Sequence, residues 1–261
     1  MKKLILTFAA LLSLVSCSVL QNLNSARLMQ GGSKVIQALG VTNQQMMGYI
    51  QQSVAQLDAE AVILPAGNTY AQRLARLTGS LRSVEGIPLN FKVYRAPEVN
   101  AFACADGSIR VNSGLMDMMN DSELLGVLGH EIGHIAMQHT LNAYKNALYT
   151  SAALDVIAST GNMAAALTDS VLGQLGMSMM QARFSRKQET QADDYAYDFL
   201  KAANINPWYM AMAFEQLLKT SGSGTPLQQS SIADMFSSHP NTAERVKRIS
   251  QKCIADGFKR P

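Results

Sequence analysis

Apolar residues recur along this chain at two different spacings, and each change of spacing marks a boundary between elements. Thr42 can cap a helix that runs to about Ala61, and Asn68 can cap a second that places Tyr70, Leu74, Leu77 and Leu81 on one face. After Pro88 the period shortens to two. Leu89, Phe91 and Val93 alternate with Asn90, Lys92 and Tyr94, the pattern of a half-buried strand. Two further short strands, Val99 to Ala103 and Ser108 to Val111, flank the turn signal Ala105-Asp106-Gly107 and read as a hairpin. Beyond Gly114 the helical period returns. Asp121 or Ser122 supplies the cap, and Leu124, Leu125, Val127, Leu128, Ile132 and Ile135 form the apolar side. The expected fold class is α+β, mainly helical, with a small antiparallel sheet beside this long helix.

Two later stretches break the regular pattern. Val156 to Thr168 and Ser170 to Ala182 are uncharged, but Asp155, Asp169 and Arg183 interrupt them and each is too short to span a bilayer. Their Ala, Ser, Gly and Met residues suit either close-packed helices or a loosely packed cover over a cleft. Ser221 to Ser231 carries Gly222, Gly224 and Pro226 among Ser and Gln and reads as a linker leading towards His239.

The N-terminus has a pattern of its own. Lys2 and Lys3 precede an apolar run from Leu4 to Leu12, and Leu14-Val15-Ser16-Cys17 resembles the lipobox of bacterial lipoproteins. The expected organisation is a signal peptide at 1–16, a polar tether at 17–40 and one domain at 41–261. Cys17 would carry the lipid, and Ser18 after it matches the default for sorting to the periplasmic face of the outer membrane in a Gram-negative cell. Lipid would then be the only contact with the membrane.

Composition narrows the function classes. A chain of 261 residues with 48% hydrophobic and 16% charged residues can bury a core of its own and is not disordered. Removing Lys2 and Lys3 from 22 basic residues leaves 20 against 19 acidic ones, so no polybasic face is expected and nucleic acid is not an expected partner. Cys104 and Cys253 remain after Cys17, as a disulfide or as two buried thiols. Met116, Met118 and Met119 read as core filling.

The chemistry gathers in "GHEIGHI", Gly129 to Ile135. Residues four apart share a helix face, so His130 and His134 can offer two imidazole nitrogens to one zinc ion. Glu131 lies about 100° around, where it can act as general base on a water molecule rather than as a ligand. A third ligand is needed. His139 stands nine positions from His130, about half a turn away on a continuing helix, so it is expected to face away from the metal, either behind the ligands as a supporting residue or at the surface. Glu189 and Asp193, four apart in "ETQADD", share a face. If Glu189 is the third ligand, Asp193 can accept the second ring N–H of a ligand histidine.

Three separated runs then carry a resemblance: "NAFACADGSIRVNSGLMDMMNDSELLGVLGHEIGHIAMQH", "FSRKQETQADDYAYDFL" and "SSHPNTAERVKRI". In this order they are similar to the M48 family of zinc metallopeptidases, the group of the HtpX and CaaX prenyl proteases. They are most similar to its small bacterial lipoproteins of the YcaL and LoiP type. The resemblance, which covers about Thr42 to Asp256, implies a zincin-like fold of the gluzincin kind and one zinc ion held by His130, His134 and Glu189. Glu131 would be the catalytic base. It implies a substrate-binding edge strand at Asn100, Ala101, Phe102 and Ala103. It also implies that His239 polarises the reacting group or fills the fourth zinc position in a latent state, and that Arg245 pairs with Asp193 or positions the His239 loop. Misfolded or periplasmic envelope proteins would be the substrates. The alternative is a chaperone-like lipoprotein with envelope-assembly partners and a latent protease site. Unlike HtpX and the prenyl proteases, this chain shows no transmembrane helices in its sequence.

Overall fold

The computed structural model describes residues 42–151 and 167–261. The signal peptide, the tether, Cys17 and most of the run from Val156 to Thr168 lie outside the described residues. Helix α1 (Asn43–Glu60) begins where Thr42 and Gln45 cap one another: the Thr42 hydroxyl accepts from the Gln45 N–H at 3.2 Å, and the Gln45 side chain accepts from the Thr42 N–H at 2.9 Å. Asn68 caps α2 (Thr69–Thr78) in a simpler way, accepting from the Tyr70 N–H.

A short hairpin, β1 (Ser83–Val84) and β2 (Ile87–Pro88), leads into the main sheet of β3 (Asn90–Tyr94), β4 (Ala101–Ala103) and β5 (Ser108–Asn112), in the order β3-β5-β4. The β4–β5 hairpin is antiparallel as expected, but β3 runs parallel to β5, so the sheet is mixed. The reason lies on the other edge of β3. The Leu64 N–H bonds to Val93 O and the Arg95 N–H to Val62 O, which fills that edge, and the chain crosses to the far side of β5 before forming β4.

Alternation along these strands gives the sheet two buried faces. Val93, Ala101, Ala103, Ile109 and Val111 meet Leu124, Leu128, Ile132 and Ile135 of α4 (Asp121–Ala136) in one core. Tyr94, Phe102 and Cys104 face the other way, into a core shared with α1, α5 (His139–Thr150) and α6 (Asp169–Met180). Cys253 lies in the first core and Cys104 in the second, both as free thiols, which excludes a disulfide between them. The small residues of α6 serve close packing: a Cβ on Gly176 would stand 2.8 Å from Leu57 and from the Ser53 carbonyl.

Helix α3 (Ser113–Met118) precedes α4, whose cap is Asn120 rather than Asp121 or Ser122. Asn120 and Glu123 cap each other, and Asp121 and Glu123 in the first turn complement the helix dipole. The remaining helices are α7 (Arg186–Ala202), α8 (Trp208–Ser223), α9 (Pro226–Ser238) and α10 (Thr242–Ala255). The stretch from Ser221 to Ser231 is therefore not a linker. It holds the end of α8, a break at Gly224, and the start of α9, with Thr225 capping and Pro226 in its first turn. Among the described residues no helix is long and apolar enough to cross a membrane.

Candidate metal centre

The close approach of α4 to α7 builds the site. Gly133 makes it feasible, since a Cβ there would lie 2.9 Å from the Ala192 carbonyl oxygen. With the backbones this near, the i,i+4 pair His130 and His134 on one helix faces the i,i+4 pair Glu189 and Asp193 on the other. Nε2 of His130 and Nε2 of His134 lie 3.1 Å apart, and the Glu189 carboxylate lies 3.5 Å from the first and 3.4 Å from the second. His239, at the C-terminal end of α9, brings Nδ1 to 3.1 Å from Glu189 and 3.3 Å from His130 Nε2.

These four donors lie within 4.8 Å of one another. Ligands about 2.0–2.1 Å from a tetrahedral ion are separated by roughly 3.3 Å, so the spacing fits one metal ion. The environment fits it too. His134 is fully buried and Glu189 nearly so, and Glu189 Oε2 has no hydrogen-bond donor aligned on it. Arg245 Nη1 is only 2.6 Å from that oxygen, but as an ion-pair contact outside hydrogen-bond geometry.

The surroundings hold each donor in place. Nδ1 of His130 lies 3.0 Å from the Asp193 carboxylate, and Arg245 of α10 donates to both Asp193 oxygens, at 2.9 Å from Nε and 2.6 Å from Nη2. The guanidinium also lies over the Phe214 ring, 4.4 Å from its centroid. Burial favours an uncharged His134 and pushes its pKa well down. Burial would raise the Glu189 carboxyl, but hydrogen bonds from His134 and His239 outweigh it and hold Glu189 far below the usual carboxylate range. Burial likewise opposes charge on His239, and Glu189 reverses that, raising its pKa. Glu131 stands beside the donors rather than among them, with Oε1 4.0 Å from His239 Nε2, and burial raises its pKa.

Two further neighbours border the site, of which Phe184 was not legible in the sequence. Phe184 lays its ring over His134, centroids 3.8 Å apart, and its N–H bonds to Ser238 O at 3.0 Å, tying the segment before α7 to the turn that carries His239. His139, expected either behind the ligands or at the surface, lies behind them. Helix α4 ends at Ala136, Gln138 takes a left-handed conformation (φ 57°), and the chain turns so that His139 Nδ1 comes within 3.1 Å of His134 Nδ1.

The strand β4 lies nearby. Asn100 O accepts from the Asn112 N–H and Cys104 N–H donates to Ser108 O, so Ala101 and Ala103 turn their backbone groups away from β5. Among the described residues these groups have no backbone partner. Asn100 lines an adjoining groove of about 580 Å³ with Glu98, Arg183, Asp234 and Ser238, whereas the Phe102 side chain is buried against Tyr94 in the second core.

The family model for Peptidase family M48 matches residues 68–252, which include all four donors. The chain belongs to peptidase family M48. It is 40% identical to Metalloprotease LoiP of Escherichia coli (strain K12), over 92% of each chain. It is 35% identical to Metalloprotease YcaL of the same organism, over 97% of this chain and 96% of that one. A Protease HtpX homolog of Streptococcus uberis is 27% identical over 59% of this chain and 64% of its own. This M48 chain is thus a metallopeptidase whose substrates are polypeptides, and its cluster of three histidines and a glutamate, buried except for the partly exposed His239, is where a metal ion fits.

Proposed function

We propose that this M48 chain is a zinc-dependent endopeptidase, lipid-anchored through Cys17 at the periplasmic face of the outer membrane, that cleaves misfolded or misassembled envelope proteins. The observation that carries the catalytic part is the arrangement of His130, His134, Glu189 and His239 around one point, with a buried glutamate alongside. Three imidazole nitrogens and a carboxylate oxygen suit zinc, which when bound supplies a Lewis acid that activates water and polarises the scissile carbonyl. His130, His134 and Glu189 would hold it.

Glu131 then takes the proton from the attacking water and passes it to the leaving amine. Its raised pKa suits both halves of that task. A cavity of about 20 Å³ touching His130, Glu131 and His239 has room for a single water molecule. Asp193 keeps the hydrogen on Nδ1 of His130, and Arg245 offsets the negative charge of Asp193 and Glu189. The outward backbone groups of Ala101 and Ala103 would pair with an extended substrate, as an added strand.

His239 has two roles in this reading. With Nδ1 among the donors it completes a four-ligand, latent site, and displaced from there it can stabilise negative charge on the reacting carbonyl. The presence of His239 in the donor set also favours a second reading, a chaperone-like lipoprotein whose protease site is repressed. Metal content and casein cleavage, measured for the wild type and Glu131→Gln, test both. One zinc per chain in each, with cleavage in the wild type alone, supports the peptidase. Zinc in each without any cleavage favours the repressed site, and zinc in neither removes the ligand assignment. The anchoring part is tested separately, since Cys17→Ser should move the protein from the membrane to the soluble fraction.

A further inference from the structure

His139 is a buried histidine to which the catalytic reading gives no task. Its Nδ1 lies 3.1 Å from Nδ1 of His134, and its Nε2 lies 3.2 Å from Oε1 of Gln191. Two ring nitrogens share a hydrogen bond only when one carries the hydrogen and the other a lone pair. The Gln191 oxygen can only accept, so Nε2 of His139 carries the hydrogen and Nδ1 of the neutral ring is an acceptor. His134 must then donate from Nδ1. Its lone pair is left on Nε2, the nitrogen that faces His130 Nε2 and Glu189.

We propose that His139 is a positioning residue that fixes the tautomer and ring plane of His134 for metal binding, and that Gln191 sets the tautomer of His139 in turn. The inference rests on the metal-centre reading above. It gives the two histidines of the H-E-x-x-H motif different supports. His130 meets the Asp193 carboxylate, and His134 meets a neutral imidazole. The difference has a physical reason. Glu131, Glu189 and Asp193 already place three carboxylates in this buried region, and a neutral acceptor orients the second ring without adding another charge to be compensated. Phe184 completes the slot from one side, with ring centroids 3.8 Å from His134 and 6.3 Å from His139.

Zinc affinity by chelator competition, read together with the melting temperature of the metal-free protein, tests the assignment on the full chain. His139→Asn can place an acceptor oxygen where Nδ1 stood, His139→Phe keeps a ring of similar size without an acceptor, and Gln191→Lys offers only donors to His139. The expected result is zinc binding about 10- to 100-fold weaker in His139→Phe and Gln191→Lys, near the wild-type value in His139→Asn, with metal-free melting of Gln191→Lys unchanged. Unaltered zinc affinity in His139→Phe would overturn the proposal. Equal losses in His139→Phe and His139→Asn would overturn it too, because ring packing would then be the cause. Should His139→Phe fail to fold, the half-buried Gln191→Lys decides, and unchanged affinity there counts against the relay. A wild-type chain that binds no zinc removes the metal-centre reading itself, a different failure from the others.

Discussion

Glu131 and Glu189 are two buried carboxylates in one site, yet their surroundings drive them in opposite directions. Glu131 is raised by desolvation. Glu189 suffers desolvation as well, but the hydrogen bonds of His134 and His239 more than compensate. The environments separate the two groups, with one carboxyl whose proton affinity is raised and one carboxylate that stays charged. Glu131→Gln should lower peptide cleavage by about 10²- to 10⁴-fold and leave metal content unchanged, which atomic absorption beside a casein assay would check. Arg245 is buried against both Glu189 and Asp193, so Arg245→Met leaves their charge uncompensated. A loss of about 3–5 kcal/mol in urea unfolding of the metal-free protein is expected.

At the scale of elements, the site is the product of one tight helix pair closed by a third helix. Gly133→Ala would press a methyl group onto the Ala192 backbone and force α4 from α7. A destabilisation of about 1–3 kcal/mol should accompany weaker metal binding, measured by denaturant titration and chelator competition. This helix pair was legible in the sequence because each pair of functional residues sits four apart, and a helix turns that spacing into a shared face. Phe184 was not, and for His139 the sequence left a place behind the ligands and one at the surface equally open. His139 reaches the site through a chain reversal at Gln138, which nothing in the local pattern announces, and Phe184 belongs to no periodic segment. The β4–β5 hairpin was read from its turn. The parallel placement of β3 depends on Val62 and Leu64 occupying its other edge, a tertiary pairing that alternation cannot encode. Ser221 to Ser231 misled by composition, because Thr225 and Pro226 signal the start of a helix among residues that otherwise resemble a linker.

For the whole molecule, the sheet joins the core that carries the donor cluster to the helical layer of α1, α5 and α6, and one polar cluster ties α1 to the sheet. Asp58 of α1 accepts from Arg110 at 2.8 Å, Lys92 at 2.7 Å and the Tyr94 hydroxyl at 2.7 Å. Burial opposes its charge, but these donors prevail and lower its pKa from 3.8 to about 2. A lowered carboxylate pKa contributes stability above its unfolded value and loses it as pH falls through the folded one. Wild type should therefore exceed Asp58→Asn by on the order of 2 kcal/mol near neutrality, and that margin should shrink between about pH 4 and pH 2. Thermal unfolding of both proteins across that range would show it.

The order in which the donors come along the chain has a consequence for biosynthesis. His130 and His134 emerge from the ribosome early, Glu189 follows, and His239 and Arg245 come late. A nascent chain shorter than that holds two imidazoles on a helix with neither the counter-charge for its buried carboxylates nor the turn that carries His239. The order of synthesis therefore places the guanidinium that offsets Glu189 and Asp193 after the carboxylates it serves, so their charge is balanced only once α10 has docked.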